Sequence, residues 1–168
     1  MSSGRIRGMA IICGLVLTSV VDAGAQELPS EYQAVLASLD KSGDFGDGVL
    51  KVNIPRTDLA VTIDGRPAPT PFGFGGWIAL TKGEGGQDVM MGDLVGSTPG
   101  RRSQVRMRTP WSLRANGLDI VAIHHHMTGG EPVAVFLHYY GTGPAARLAP
   151  GVRAAVDLLG KAPADRSR

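Results

Sequence analysis

His124, His125 and His126 stand in a row at the end of the apolar run 118–123, and His138 ends the next apolar run, 133–137. These are all 4 histidines of the chain. Neutral imidazole is the commonest protein metal ligand and titrates near physiological pH. Imidazoles gathered in one short stretch therefore mark a candidate site for a metal ion or a small anionic ligand. No reaction is specified by them. The chain has no Gly-x-Ser-x-Gly, no phosphate-binding P-loop and no His-Glu-x-x-His.

Side chains two apart on a strand share a face, so His124 and His126 point together and His125 points away. What the next strand adds depends on the turn. With Gly129-Gly130 as a two-residue turn, which double glycine favours, His126 pairs with Val133 and Glu131 joins the His124/His126 face. His138 then falls on the opposite face, across from Val121. A three-residue loop over 128–130 returns His138 to the shared face but across from Ile120. That is about 13 Å along the strand from His124, too far for one ion without a bulge.

The candidate metal ligands are thus His124, His126, His138 and Glu131, with Glu131 and His138 competing for third place, and the implied cofactor is a divalent metal ion. Such an ion could activate water, with the unused carboxylate as base. The competing expectation is a non-catalytic envelope protein whose histidines satisfy hydrogen bonds or form a partner-binding patch; His125 is read as structural. The His-x-His, four residues, Glu spacing is similar to the first metal motif of cupins, but no second motif brings a distant histidine.

Other residues carry weaker signals. Asp93 is either a distant carboxylate ligand or a strand residue near a turn. Trp77 reads as a core anchor or a pocket wall, and Tyr139 and Tyr140 as one core and one surface residue. Gly141-Thr142-Gly143-Pro144 either binds an anion through backbone N–H groups or caps the last helix through Thr142 or Gly143.

The elements that must position these groups follow from periodicity. Ser30, with Gln33 three residues on, predicts a capping box opening a helix whose apolar face is Tyr32, Val35, Leu36 and Leu39. From Val49 the period becomes two: Leu50, Val52 and Ile54 alternate with Lys51 and Asn53. A second strand over 59–63 is closed by Asp64-Gly65, and 67–76 reads as a loop. Strands over 77–80 and 89–95 flank Gly83 to Gly86, and the two histidine-bearing strands come next. A C-terminal helix over 144–159 buries Leu148, Val152, Val156 and Leu159, with Pro150-Gly151 expected to kink or split it. The expected fold is α+β: a single domain with an antiparallel or mixed sheet and flanking N- and C-terminal helices.

Composition bounds the function class. At 168 residues with 43% apolar and 19% charged residues, the chain supports one globular domain rather than a disordered segment. A net charge of +2 gives no basis for nucleic-acid binding. Arg5 and Arg7, the apolar stretch 9–21 and Ala23-Gly24-Ala25 before Gln26 predict a cleaved signal peptide over 1–25 and a mature domain over 26–168. At about 13 residues the apolar stretch is short of the roughly 20 needed for a membrane span. The expected location is periplasmic or secreted, with membrane contact only through an uncleaved signal segment. Cys13 lies inside that stretch, so any metal site in the mature chain must use His, Asp, Glu or backbone oxygen.

Several pieces together carry a family resemblance: Gly48-Val49-x-Lys51-Val52, Ile54-Pro55-Arg56-x-Asp58-Leu59, Val61-x-Ile63-Asp64-Gly65, Gly76-Trp77-x-Ala79 and Gly92-Asp93-Leu94-Val95. Further on, Asn116-Gly117-Leu118-Asp119, His124-x-His126, Glu131-Pro132, Phe136-x-His138 and Gly141-x-Gly143 fit as well. The chain resembles the domain of unknown function found in the mycobacterial lipoproteins LppY and LpqO and in many bacterial exported proteins. The resemblance runs from about Leu36 to Leu159 and implies an exported α+β domain with no established activity. Residues 97–114 depart from it: Arg101, Arg102, Arg106, Arg108 and Arg114 replace an acidic helix, with Pro99 and Pro110 interrupting. That segment is expected to be solvated or poorly packed, and a local frameshift is one explanation.

Overall fold

The computed structural model describes residues 26–97, 105–127 and 134–160. The export segment expected over 1–25, the Gly129-Gly130 turn and Glu131 lie outside the described residues.

Helix α1 (Ser30–Leu39) forms on the expected stripe, burying Tyr32, Val35 and Leu39. The capping box does not form. Pro29 occupies the cap position with no side-chain bond, Ser30 is already helical, and Gln33 Nε2 donates to the Leu28 carbonyl at 3.3 Å. Proline's fixed φ suits a helix entrance, so the helix begins one residue earlier than a serine cap requires. Strands β1 (Asp44–Gly46) and β2 (Val49–Ile54) follow, then the hairpin β3 (Val61–Ile63) and β4 (Arg66–Ala68). Asp64 and Gly65 both take positive φ between these last two strands, the backbone of a tight hairpin turn. Part of the stretch expected as loop is thus strand, with Pro67 paired opposite Thr62.

Next come β5 (Gly76–Lys82), β6 (Asp88–Ser97), helix α2 (Val105–Ala115), β7 (Asp119–His125), β8 (Ala134–Thr142) and helix α3 (Ala145–Val156). Six strands form one sheet in the order β1-β2-β5-β6-β8-β7, every neighbouring pair antiparallel, while β3 and β4 make a separate two-stranded sheet. This is the expected α+β architecture.

One face of the six-stranded sheet carries the main core. Leu50, Val52, Ile54, Ile78, Leu80, Met90, Leu94, Leu137 and Tyr139 pack with Tyr32 and Val35 of α1 and with Leu148, Ala149 and Val152 of α3. Both α1 and α2 pack against α3. A smaller cluster on the other face joins Val95, Ala134 and Phe136 to Val61 of β3 and to Phe74. The rest of that second face, including Trp77, Met91, Asp93, His138 and Tyr140, is the part that no helix among the described residues covers.

Two expectations about the helices are corrected. The Arg-rich stretch is helical from Val105 onward and packed further along: α2 buries Thr109 and Leu113, one helical turn apart, and leaves Trp111 66% exposed. Two positions spaced four apart are enough to seat a helix that lacks a broad apolar stripe. Helix α3 is continuous through Pro150-Gly151. Pro150 faces solvent, as does Ala146, the residue whose carbonyl Pro150 leaves without its usual donor. Gly151 then allows close packing, since a Cβ there would meet the Asn116 side chain at 2.3 Å.

Two buried ionic groups tie the layers together. Asp88 opens β6; its Oδ2 accepts a hydrogen bond from Ala145 N at 2.8 Å and its Oδ1 binds Lys82 Nζ at 2.6 Å. The anticipated cap from Thr142 or Gly143 is absent. Pro144 holds the cap position without a side-chain bond, and the carboxylate of a distant strand satisfies the first N–H of α3 instead. Arg56, 3% exposed, donates to the Val95 carbonyl and forms a two-pronged pair with Asp58 at 2.8 and 2.7 Å. This gives the Arg56-x-Asp58 motif a structural role.

Replacing Asp88 by Ala is expected to destabilise the fold by about 2 kcal/mol, from a lost helix cap and a lost partner for Lys82, read as a lower urea midpoint. The Arg56 hydrogen bonds hold the Asp58 carboxyl below its ordinary 3.8. A lowered carboxyl contributes stability above its unfolded value and loses it as pH falls through the folded one. Asp58→Asn should therefore cost about 1 kcal/mol near neutrality, a modest figure because the carboxylate is half-exposed. The variant should also lose less stability than the parent as pH falls below about 4, measured by urea unfolding at a series of acid pH values.

Candidate functional site

Strand β8 lies between β6 and β7, so its residues are positioned from both sides. Against β7 it pairs His125 with Val135, His124 with Phe136 and Ala122 with His138. The expectation from a two-residue turn, with His138 across from Val121 on the opposite face, is therefore corrected. The three-residue-loop register, with His138 across from Ile120, is not the one found either. His138 stands on the same face as His124 and only one diagonal step away.

The ladder changes register between Ile120 and Ala122. This bulge inserts Val121 as an extra residue, so Ile120 pairs with Tyr139 on the helix-covered face while Ala122 pairs with His138 on the other. Without it, one half of β7 would present the wrong face. No sequence signal marks the bulge: Val121 is an ordinary strand residue.

The three imidazoles form a stacked group. The His124 and His138 rings lie 4.9 Å apart and are nearly parallel at 6°. His124 and His126 lie at the same centroid separation, with their Nε2 atoms 3.0 Å apart. Phe136 supports them from its strand: the His126 ring stacks on it at 3.6 Å between centroids and the His124 ring at 5.9 Å. His125 is exposed on the other side of β7. Among the described residues, no three His, Cys, Asp or Glu side chains are arranged as a ready-made metal cage. The closest approach to one is the His124/His126 nitrogen pair, with His138 stacked beside it.

Sequence reasoning undervalued Asp93. It is the direct cross-strand partner of His138 on β6, with His138 Nδ1 at 3.8 Å from Oδ1. Its carboxylate is 8% exposed and Oδ1 has no hydrogen-bond partner among the described residues. Burial pushes its carboxyl above the ordinary range, opposed by His138, then His124, then His126 and a backbone N–H at Leu137. The signal that could have found it was positional: Asp93 is the only acidic residue in the interior of an otherwise apolar and glycine strand.

The remaining candidates separate cleanly. Tyr139 is core, with its hydroxyl buried, unpartnered and pushed up by burial, lying against the bare Cα of Gly92. Tyr140 is the surface tyrosine at 38% exposure. Trp77 is half-buried, across from Asp93 on its other side. Together with Met91, Trp77 and Tyr140 give the uncovered face an apolar patch beside the imidazoles.

No curated protein matches the chain significantly, and no solved structure does. A family model does match, over residues 33–158, and it takes in every strand of the second face just described. That span covers most of the chain, and the protein belongs to the family described as Domain of Unknown Function (DUF1259).

Proposed function

We propose that this protein is an exported, LppY/LpqO-type domain that binds a divalent transition-metal ion on the uncovered sheet face, through His124 and His126 with His138 as third ligand. One observation carries the reading, the 3.0 Å separation of the His124 and His126 Nε2 atoms. Two nitrogens bound at about 2.1 Å to one ion stand roughly 3.0 to 3.4 Å apart, depending on the angle. His138 is stacked on His124 and would join them by turning its ring off it. Glu131 lies outside the described residues. The Ala23-Gly24-Ala25 pattern supports export, and no helix among the described residues is long and apolar enough to cross a membrane.

A second reading is favoured by the Phe136 stacking. In it the imidazoles are a structural lid over the smaller core cluster, and the face binds a partner or nothing. The two readings predict different outcomes. In the metal reading, the mature chain without a histidine tag carries about one equivalent of a divalent ion by elemental analysis after metal exposure and desalting. The His124→Ala/His126→Ala variant carries none, yet keeps a cooperative thermal transition. Absence of metal in both proteins, with thermal stability of both unchanged by added ion, rejects the metal reading.

Phe136→Ala should cost about 3 kcal/mol by deletion of a buried ring and weaken ion binding with it. His125→Ala should change stability by no more than about 0.5 kcal/mol and leave ion binding intact. Both effects are measured by urea unfolding with and without ion. Export is checked by the intact mass of the protein recovered from the producing cells, expected to begin at Gln26.

A further inference from the structure

Asp93 sits where a metal site built on His138 needs a carboxylate. It is on an interior strand, paired through β6 to both β5 and β8, and lies directly across from His138. Oδ1 is buried with no hydrogen-bond partner among the described residues, and His138 Nδ1 lies 3.8 Å from it. That is about 1 Å longer than a good charge-assisted hydrogen bond, a gap that a small turn of the imidazole closes. An unpartnered buried carboxylate is costly unless a donor or a cation completes it. His138 is 30% exposed, so its other nitrogen can reach the open face.

Metal-bound histidines commonly donate their second N–H to a carboxylate, which fixes the tautomer and makes the ligating nitrogen more basic. We propose that Asp93 is the positioning carboxylate of the histidine site: it accepts a hydrogen bond from His138 Nδ1–H and leaves His138 Nε2 as the lone-pair nitrogen facing the ion shared with His124 and His126. This rests on the metal-binding reading above. It replaces the sequence-based choice of Glu131 or His138 with a different arrangement, in which His138 binds and the acidic member stands behind it.

The test uses the full mature chain and its Asp93→Asn variant. Long-range nitrogen-detected imidazole spectra of the metal-free proteins read the His138 tautomer, and Co(II) titration with visible spectra reads affinity and ligand field. The wild type is expected to hold His138 as the Nδ1–H tautomer. Asp93→Asn is expected to shift it toward Nε2–H, change the Co(II) spectrum and weaken Co(II) by about 10- to 100-fold. An unchanged tautomer and affinity in Asp93→Asn, with Co(II) binding lost in His124→Ala/His126→Ala, overturns the role of Asp93 and leaves the metal reading standing. No Co(II) binding by the wild type overturns both. Should Asp93→Asn not fold, the wild-type spectrum decides alone: His138 found as Nε2–H overturns the proposal.

Discussion

Strand side chains alternate between faces, and a slip of one residue exchanges every side chain on a strand for its neighbour. The pairing of β7 with β8 has to satisfy that constraint twice. Near Asp119 and Ile120 it must send Ile120 into the helix-covered core; beyond Ala122 it must keep His124 over Phe136 on the opposite side. No single register does both. The extra residue at Val121 reconciles them, and the imidazole group exists only because it does.

The rest of the molecule holds the strand on the other side of β8 steady. Asp88 fixes the start of β6 to the first turn of α3, and Arg56 fixes the far end of the same strand through the Val95 carbonyl. Asp93 lies between these two anchors. Gly92, beside it, has no room for a side chain, because a Cβ would meet the Tyr139 hydroxyl at 2.3 Å and the Trp77 carbonyl at 2.4 Å. The buried carboxyl thus sits on a backbone held close to its neighbours on both sides.

The elements governed by local periodicity were legible in the sequence: the alternation over Leu50, Val52 and Ile54, the stripe Tyr32-Val35-Leu39, the Asp64-Gly65 turn and the α+β order. So was the common face of His124 and His126, because it depends only on a period of two. What was not legible depends on distant partners. The cap of α3 comes from Asp88, far away in the chain, and Pro29 displaced the local serine cap. The seat of α2 rests on Thr109 and Leu113, which gave no periodic pattern among so many arginines. The position of His138 depended on a register that the glycine turn alone does not specify, and Asp93 acquires its meaning only when β6 is placed beside β8.

The sheet order places the imidazoles on strands of unequal security. Among the described residues, strand β7 is an edge, hydrogen-bonded to β8 alone, whereas β8 and β6 are laddered on both sides. His124, with His126 just past the strand's end, therefore rides on the site-bearing strand that separates by breaking a single ladder, while His138 and Asp93 stay with the interior. The group is divided into a fixed half and a detachable half. Anything that binds across both halves also clamps the edge of the sheet, so ligand occupancy and the integrity of that edge are thermodynamically linked.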